Sequence, residues 1–350
     1  MNHQKRSTEK RKSEHIDIAL NQPVAGTDIT TGLEQFRLVH ESLPEIAYSE
    51  ISLKTTFLEQ SLQTPFLVSS MTGGTEKART INRNLAQAAE ARGWAMGLGS
   101  CRAALEHPET VDTFRVRDVA PTIPILANLG AVQLNYGYGA DHCRQVVELV
   151  EADGLILHLN SLQEVFQPEG NTDFRDLLSK IEGICNTLEV PVGVKEVGWG
   201  INGKLARRLF DAGVTFVDVA GAGGTSWVQV EKHRSKNPLL IQAAKTFSGW
   251  GLPTAFCLQE ARKLNPTGTL IASGGMTNGL DAAKALALGA DLVGFGRSLL
   301  AAATQPTPEA IAFQLERIET ECRIAMFGSG IDRVERLQGT SRLQKCPLNP

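Results

Sequence analysis

Eight apolar, β-rich runs recur along this chain from Pro65 onward, and segments with helical spacing separate most of them. In chain order the runs are PFLVSSM (65–71), WAMGLGS (94–100), PILANLG (124–130), GLILHLN (154–160), PVGVKEVG (191–198), FVDVAGAGG (216–224), TLIASGGM (269–276) and LVGFGRS (292–298). Their lack of strict polar alternation is typical of parallel strands buried on both faces. The count predicts an α/β fold, a (β/α)8 TIM barrel, because a doubly wound sheet would need fewer strands and no closure.

The gaps between these runs carry helical periodicity. In the first gap, Ala78, Ile81, Leu85 and Ala88 recur at three- and four-residue steps. Further helices are predicted over Ala140–Glu151, Phe174–Leu188, Lys204–Ala212, Ala255–Leu264, Gly279–Leu288 and Glu309–Phe327. The gap 101–123 is less regular but long enough for a helix. The gap 225–252 has no clear strand and predicts an enlarged loop at the working face.

The barrel pattern divides the chain into three parts. We expect an N-terminal arm and irregular lead-in over 1–64, the barrel over 65–330 and a C-terminal tail over 331–350. The first fourteen residues, MNHQKRSTEKRKSE, are charged and lack apolar periodicity. Their composition alone indicates a disordered tail.

Bulk composition excludes several classes of protein. The formal charge of -3 gives no reason to expect a nucleic-acid or membrane partner. The six cysteines lie far apart without a CxxC pair, which argues against a zinc knuckle, a redox pair or a disulfide scaffold. The polar N-terminus lacks the apolar core of a signal peptide, and no apolar run approaches a membrane-spanning length. We therefore expect a reduced, soluble, cytoplasmic protein.

Polar residues and glycines follow the predicted strands. In a barrel the carboxyl ends of all strands line one mouth. These ends carry Ser69, Ser70, Met71, Thr72, Ser100, Cys101, Arg102, Asn128, His158, Asn160, Lys195, Thr225, Ser273 and Arg297. Any single glycine there more simply ends a strand. Eight polar or glycine-rich ends together indicate a ligand site.

The glycines after the last two strands, in SGGMTNG (273–279) and GFGRS (294–298), free backbone N–H groups to face an anion. This pattern predicts a phosphorylated ligand without identifying it. Lys195 lies within an apolar strand, where an ammonium needs an anionic partner. It fits Schiff-base chemistry or a fixed charge beside a flavin, and the plain alternative is a lysine that extends to solvent from a misplaced strand end.

Six motifs together resemble the type 2 isopentenyl diphosphate isomerases, which are FMN-dependent barrel enzymes. The motifs are RKSEH (11–15), SSMTGG (69–74), HLNSLQE (158–164), VKEVGWG (194–200), GGTSW (223–227) and SGGM (273–276). Their order and spacing carry the resemblance, which runs from about Arg11 to the last helix. It implies interconversion of isopentenyl and dimethylallyl diphosphate with reduced FMN and Mg2+, without net redox change.

The resemblance also implies roles for individual residues. FMN would be held by Ser69, Ser70, Met71, Thr72, Ser100, Asn128, Lys195 and Thr225, and its phosphate by Gly274, Gly275, Met276, Gly296 and Arg297. Lys195 would face the N1–C2=O edge of the flavin, which disfavours the Schiff-base reading. The substrate diphosphate would be bound by Arg11, Lys12 and His15, with further groups from Ser100, Cys101, Arg102, His158 and Asn160.

Gln163 and Glu164 are the implied catalytic and metal residues of the motif HLNSLQE. An amide does not titrate near neutral pH, so Gln163 is expected to orient substrate or relay a proton. Glu164 is a hard oxygen ligand suited to Mg2+. A helix-capping pair is the plain alternative for both. Ser161 is more simply a turn or capping hydroxyl than a nucleophile.

Reductant and assembly also follow from the resemblance. NADPH is an expected electron donor, although the chain has no GxGxxG fingerprint for a dedicated nicotinamide domain. A homo-oligomer, tetramer or octamer, is expected, with a small isoprenoid diphosphate as the ligand partner.

The rival classes are a barrel oxidoreductase, which could be of two types, and a non-catalytic barrel. An FMN-dependent barrel oxidoreductase that acts on 2-hydroxy acids would need a histidine with a nearby arginine after strand seven, where this chain has SGGMTNG. An inosine monophosphate dehydrogenase would need a cysteine-bearing loop after strand six, where this chain has GAGGTSW. A non-catalytic barrel that senses a phosphorylated ligand is disfavoured by Gln163, Glu164 and the basic arm.

Overall fold

A computed structural model describes residues 2–346 of the chain, with side chains from residue 9 onward. The strands, in chain order, are β1 Phe36–Leu38, β2 Thr55–Phe57, β3 Gln60–Leu62, β4 Phe66–Val68, β5 Ala95–Gly97, β6 Ile125–Gly130, β7 Gly154–His158, β8 Val192–Lys195, β9 Phe216–Asp218, β10 Thr269–Ala272, β11 Leu292–Phe295 and β12 Leu343–Lys345. Strands β4 to β11 are parallel and close into a barrel. Each lies inside one of the eight apolar runs, which confirms the predicted (β/α)8 fold.

Apolar side chains fill the barrel interior. One buried cluster takes one residue from each of seven barrel strands: Leu67, Ala95, Leu126, Ile156, Phe216, Ile271 and Leu292. The hairpin of β2 and β3 adds Phe57 and Leu62 to this cluster, and the ring of Phe57 meets that of Phe216 edge-on at 5.2 Å. The hairpin precedes the first barrel strand, so it covers the end of the barrel opposite the strand carboxyl ends. The working mouth is therefore at the other end.

Helices surround the barrel. In chain order they are α1 Asn2–Asn21, α2 Glu76–Arg92, α3 Arg102–Glu106, α4 Ala140–Leu149, α5 Ser161–Phe166, α6 Leu177–Thr187, α7 Gly203–Asp211, α8 Trp227–Arg234, α9 Pro238–Thr246, α10 Thr254–Leu264, α11 Gly279–Ala287, α12 Arg297–Ala303, α13 Glu309–Phe327 and α14 Val334–Leu337. The helices predicted from periodicity are confirmed, and α13 has the predicted bounds. The less regular gap 101–123 holds α3 and a 3-10 turn at Pro108–Thr113.

Local sequence explains where helices begin and end. Helix α2 begins after Thr75, whose hydroxyl accepts a hydrogen bond from the Ala78 N–H. It ends at Gly93, which has a left-handed φ of 67°. An N-cap hydroxyl and a left-handed glycine satisfy the free backbone groups of the two ends.

Two segments are more ordered than the sequence pattern alone predicted. The segment 225–252 is not an extended loop, because it folds into α8 and α9. Asn237 caps α9 and Pro238 occupies its first turn. The charged N-terminal segment, which composition alone assigned to a disordered tail, is part of α1. Helix α1 packs against α8 and α12, so its partners lie far away in sequence and its own composition does not reveal them.

The lead-in and the tail meet each other. Strand β1 pairs with β12 in an antiparallel register that places Phe36 opposite Lys345. The division expected at 64 and 331 does not anticipate this pairing. Within residues 2–346, no helix is both long enough and apolar enough to span a membrane.

Candidate active site

A cavity of about 450 Å³ opens at the carboxyl ends of the barrel strands. This volume is typical of small-molecule sites. Its lining includes these predicted residues: Arg11, Lys12, His15, Ser69, Ser70, Met71, Thr72, Ser100, Arg102, Asn128, His158, Asn160, Gln163, Glu164, Lys195, Thr225, Gly274, Gly275, Met276, Gly296 and Arg297. The barrel thus brings together residues that are widely separated in sequence.

Cys101 is the exception among the predicted residues. It is fully buried and its thiol donates to the Gly99 carbonyl at 3.4 Å. Burial raises the pKa of the Cys101 thiol to about 11, so it stays protonated. Cys101 does not line the cavity, so the structure does not bring it together with the other predicted substrate-binding residues.

Two serines follow β4 and have buried hydroxyl groups. Ser69 Oγ and Ser70 Oγ are buried and have no hydrogen-bond partner within the described part of the chain. Ser69 lies against β11, since a Cβ on Gly294 would be 2.5 Å from its Oγ. Buried hydroxyls without partners are rare in folded proteins and typically mark a ligand position. These serines and the neighbouring strand ends form the floor of the cavity. A polar cofactor with several acceptor and donor atoms fits this floor.

The predicted phosphate loop at 273–279 and the loop at 221–224 approach each other too closely for a side chain at their points of contact. A Cβ on Gly274 would lie 2.0 Å from the Gly221 carbonyl oxygen, and one on Gly224 would lie 2.5 Å from the Gly275 nitrogen. Gly274 and Gly275 also have left-handed φ values of 96° and 78°. Main-chain groups therefore line this part of the cavity, as an anion site requires.

Lys195 and His158 face each other across neighbouring strands of the floor. The Lys195 side chain is 7% exposed, and its Nζ donates to the Glu196 carbonyl oxygen. Burial and the nearby Lys195 charge lower the pKa of His158 to about 3, so His158 is neutral. His158 Nδ1 lies 2.7 Å from Asn128 Oδ1. With that oxygen as acceptor, His158 orients Asn128 and offers no positive charge to a diphosphate.

Gln163 is held by hydrogen bonds at both ends of its amide. Its Nε2 donates to Glu231 Oε1 at 3.3 Å, and its Oε1 accepts from Asn160 Nδ2 at 3.3 Å. Burial opposes the charge of Glu231, but a hydrogen bond from His15 and the charge of Arg234 keep the pKa of its carboxyl below the ordinary value. Glu231 is therefore an acceptor, which fixes the amide nitrogen of Gln163 towards it.

Hydrogen bonds hold both carboxylate oxygens of Glu164, and two buried amide oxygens of the same part of the site have no partner in the part of the chain that the structure describes. Its Oε1 accepts from Asn160 Nδ2 at 2.8 Å, and its Oε2 accepts from the Asn171 N–H at 2.5 Å. Asn160 Oδ1 and Gln133 Oε1 are buried without a hydrogen-bond partner among residues 9–346. Asn171 Oδ1 accepts from both Gln133 Nε2 and Arg102, which directs the Gln133 oxygen away from Asn171.

These oxygens suit a hard cation. Among the described residues, no group of three or more His, Cys, Asp or Glu side chains is placed to hold a metal ion. One carboxylate with neutral oxygens is what Mg2+ accepts when phosphate and water complete its shell. The donor set around Glu164 therefore fits Mg2+ bound together with a phosphorylated ligand.

Helix α1 carries three basic side chains into the mouth. Lys12 Nζ donates to the Ser100 carbonyl at 3.1 Å and lies 4.9 Å from the centre of the Phe114 ring. Burial lowers the pKa of Lys12 to about 7. His15 Nε2 lies 2.9 Å from Glu231 Oε1, and the pKa of the imidazole is lowered by burial. Arg11 pairs with Glu169 at 3.5 Å.

One guanidinium joins α1 to the rest of the mouth. Arg234 bonds Glu14 of α1 at 3.0 Å, Glu231 of its own helix at 2.5 Å and Glu169 at 3.5 Å. Arg11 shares Glu169 with it. The arm is thus connected to the partner of Gln163 through side chains alone.

Sequence reasoning missed several residues of the site. Gln133 and Glu231 were not singled out, and Arg234 lies in the gap 225–252, which was expected to be an enlarged loop. Glu231 lies four residues after Trp227, one helical turn along α8, so a helical interpretation of GTSWVQVEKHR would have turned it towards the mouth. Gln133 follows β6 in a 3-10 turn, where no periodic signal exists.

Comparison with known proteins gives consistent matches. A family model described as FMN-dependent dehydrogenase matches residues 158–344. The isopentenyl-diphosphate delta-isomerase of Oceanobacillus iheyensis is 53% identical over 333 residues, 95% of each chain. The isopentenyl-diphosphate delta-isomerase of Nostoc sp. is 47% identical over 338 residues, 97% of this chain and 96% of that protein.

Solved structures match the fold at lower identity. A mutant flavocytochrome b2 with pyruvate bound has a TM-score of 0.68 at 17% identity, covering 94% of this chain and 82% of that chain. A mandelate oxidase bound to a substituted phenylpropionic acid has a TM-score of 0.64 at 17% identity, covering 97% of this chain and 98% of that one. At such identities the likeness concerns the fold of the barrel.

Proposed function

Because this chain belongs to the FMN-dependent isopentenyl-diphosphate delta-isomerase family, we propose that it interconverts isopentenyl and dimethylallyl diphosphate with reduced FMN and Mg2+ and no net redox change. The observation that carries this proposal is the position of Gln163 and Glu164. They lie between a floor suited to a flavin and a basic helix suited to a diphosphate.

The reaction moves a double bond in a branched five-carbon chain. Protonation of the alkene gives a tertiary cation, so the site must supply one proton, remove another and tolerate positive charge. Bound reduced FMN would supply an electron-rich surface that stabilises such a cation in a site closed to water. Ser69, Ser70, Asn128 and Lys195 would hold its ring, and the glycine loops its phosphate.

Gln163 would act by orientation. Its amide does not titrate, and both of its ends are already fixed by Glu231 and Asn160. A fixed amide can hold the alkene against the cofactor or relay a proton through its hydrogen bonds. The buried Glu231 behind it, whose side chain is 0% exposed, also places a negative charge near the developing cation.

Glu164 would hold Mg2+ together with Gln133 and Asn160. The two amide oxygens without partners supply neutral ligands or receive hydrogen bonds from waters of the ion. The substrate phosphates would complete the shell. Arg11, Lys12 and Arg102 would add donors to the diphosphate, as charge-assisted hydrogen bonds to phosphate oxygens require.

Electron supply, assembly and location are the finer parts of the proposal. We propose NADPH as a reductant that acts on the flavin of the assembled site. A homo-oligomer, tetramer or octamer, in the cytoplasm is the arrangement that the resemblance implies.

An assay of the purified protein tests the proposal. The protein should be yellow, and isopentenyl diphosphate should be converted only after dithionite bleaches the flavin in the presence of Mg2+. Conversion by a colourless protein that gains nothing from added FMN would contradict the proposal. Oxidation of 2-hydroxy acids without isomerisation would instead favour the oxidoreductase class.

A further inference from the structure

Asp218 is a buried carboxylate that the proposed mechanism does not use. It is the last residue of β9 and is 1% exposed. In the barrel register it lies opposite Lys195 of β8 on one side and opposite Ile271 of β10 on the other. It does not line the cavity, so it reaches a ligand only through its neighbours.

The hydrogen-bond partners of Asp218 and its register neighbour Lys195 all line the cavity. Asp218 Oδ1 accepts from Ser273 Oγ at 2.7 Å and from the Ala220 N–H at 3.1 Å. Ala220 has a positive φ of 38°, a conformation that a non-glycine residue keeps only when its surroundings impose it. Ala220, Ser273 and Lys195 are three adjacent points of the floor.

The charge of Asp218 is linked to that of Lys195. A buried carboxylate is strongly disfavoured unless hydrogen bonds and an opposite charge accompany it. Burial raises the pKa of Asp218, while the charge of Lys195 and the two hydrogen bonds oppose that rise. Lys195 and Asp218 are therefore buried neighbours in the barrel register, and of the two only Lys195 lines the cavity.

We propose that Asp218 is a positioning residue that limits how much of the Lys195 charge acts on the bound flavin. Reduction of FMN to its anionic form adds a negative charge, which Lys195 favours and a nearby carboxylate disfavours. Asp218 thereby lowers the midpoint potential and keeps the reduced cofactor electron-rich. An electron-rich cofactor is what stabilisation of a tertiary cation needs. This inference rests on the proposed function, because it requires bound FMN.

The test is the midpoint potential of FMN in the holoenzyme, measured by equilibration with a reference dye. The substitution Asp218→Asn removes the charge but keeps an oxygen for Ser273 and Ala220. We expect a positive shift corresponding to at least a tenfold change in the ratio of reduced to oxidised flavin, or ~30 mV for two electrons. We also expect isomerase turnover to fall while FMN stays bound.

Glu196→Gln is the matched control. Glu196 is the residue after Lys195, but its carboxylate accepts the backbone N–H groups of Gly198, Trp199 and Gly200. Its removal should shift the potential less than Asp218→Asn. If Asp218→Asn does not fold, Asp218→Ser removes the same charge and should shift the potential in the same direction.

The outcomes separate the two proposals. A coloured enzyme whose potential is unchanged or lower in the Asp218 variant overturns the role of Asp218 and leaves the isomerase proposal intact. A wild-type protein that binds no FMN overturns the isomerase proposal itself.

Discussion

The floor of the cavity and the helix that covers it hold their positions by different interactions. We use "floor" for Ser69, Ser70, Asn128, Lys195 and the glycine loops at 221–224 and 274–275. We use "cover" for α1 together with Glu169, Glu231 and Arg234. Barrel strands and main-chain packing fix the floor. Ion pairs hold the cover, and two of its carboxylates, Glu14 and Glu169, are 38% and 41% exposed.

This difference separates two tasks. A floor built from buried backbone cannot adapt without breaking barrel contacts, which suits a resident cofactor. Partly exposed ion pairs are weak and screened by salt. In a cover held in this way, the basic side chains can exchange their carboxylate partners for the phosphates of a substrate. Variants of the floor should therefore affect the flavin, and variants of the cover should affect substrate affinity.

Gln163 lies between the two regions and gives the largest expected effect. Gln163→Ala should lower kcat by roughly 100- to 10,000-fold, the range for loss of a proton-transfer group. Bound FMN per chain should stay at the wild-type level in the absorption spectrum. A variant that loses flavin together with activity would show that Gln163 belongs to the floor.

The glycine loops test the rigidity of the floor. Gly274→Ala would place a Cβ 2.0 Å from the Gly221 oxygen at a φ of 96°, so it should weaken FMN binding by about 10- to 100-fold. Equilibrium titration with FMN measures this. Gly183→Ala is the control, because a Cβ there has no atom within 4 Å. Equal affinity in both variants would contradict a fixed main-chain cradle.

Glu164 tests the link between cover and floor through the metal. Glu164→Gln should raise the Mg2+ concentration for half-maximal activity by roughly 10- to 100-fold, and Gln133→Leu by less. Because Asn160 and Asn171 also bind the Glu164 carboxylate, a second readout is needed. Binding of Mn2+ to the holoenzyme, followed by electron paramagnetic resonance, should weaken in parallel. Unchanged Mn2+ affinity would remove Glu164 as a ligand.

Substrate binding by the cover should depend on pH because of Lys12. Its pKa is lowered by burial to about 7, so the ammonium loses its proton as the pH rises through 7. The Kd for substrate diphosphate should therefore increase above pH 7, by on the order of tenfold per pH unit at most. Lys12→Arg keeps its charge over this range and should flatten the profile. Parallel profiles for both proteins would contradict the assignment.

The smallest effect is expected from the ion pairs of the cover. Glu14→Gln removes one of the three carboxylates on Arg234, each exposed pair being worth about 1 kcal/mol or less. We expect KM to change by only a few-fold at low salt and the difference to vanish at high salt, with kcat and FMN content unaltered. Lys10, whose contact with Glu14 is exposed, offers the control Lys10→Gln. A salt-independent loss of kcat would show that the cover is rigid.

The difference between floor and cover also explains which parts of the site could be predicted from the sequence. The floor was predictable, because apolar runs mark the strands and barrel topology brings their ends together. The cover was less so, since the first fourteen residues of the chain are charged and α1 also depends on Glu231 and Arg234, more than 200 residues away. Gln133 carries no periodic or motif signal, and Glu231 has only its helical spacing from Trp227, in a segment that was expected to be a loop. The burial of the Cys101 side chain, at the N-cap of α3, is likewise marked by no motif in the sequence.

The most direct test of the account is a many-turnover reaction of the reduced holoenzyme with isopentenyl diphosphate in D2O, without oxygen. The flavin spectrum and the deuterium content of dimethylallyl diphosphate are recorded together. We expect deuterium in the product and a flavin that is as reduced at the end as at the start. Flavin oxidised in proportion to product, or product without solvent deuterium, would contradict a proton-transfer isomerase.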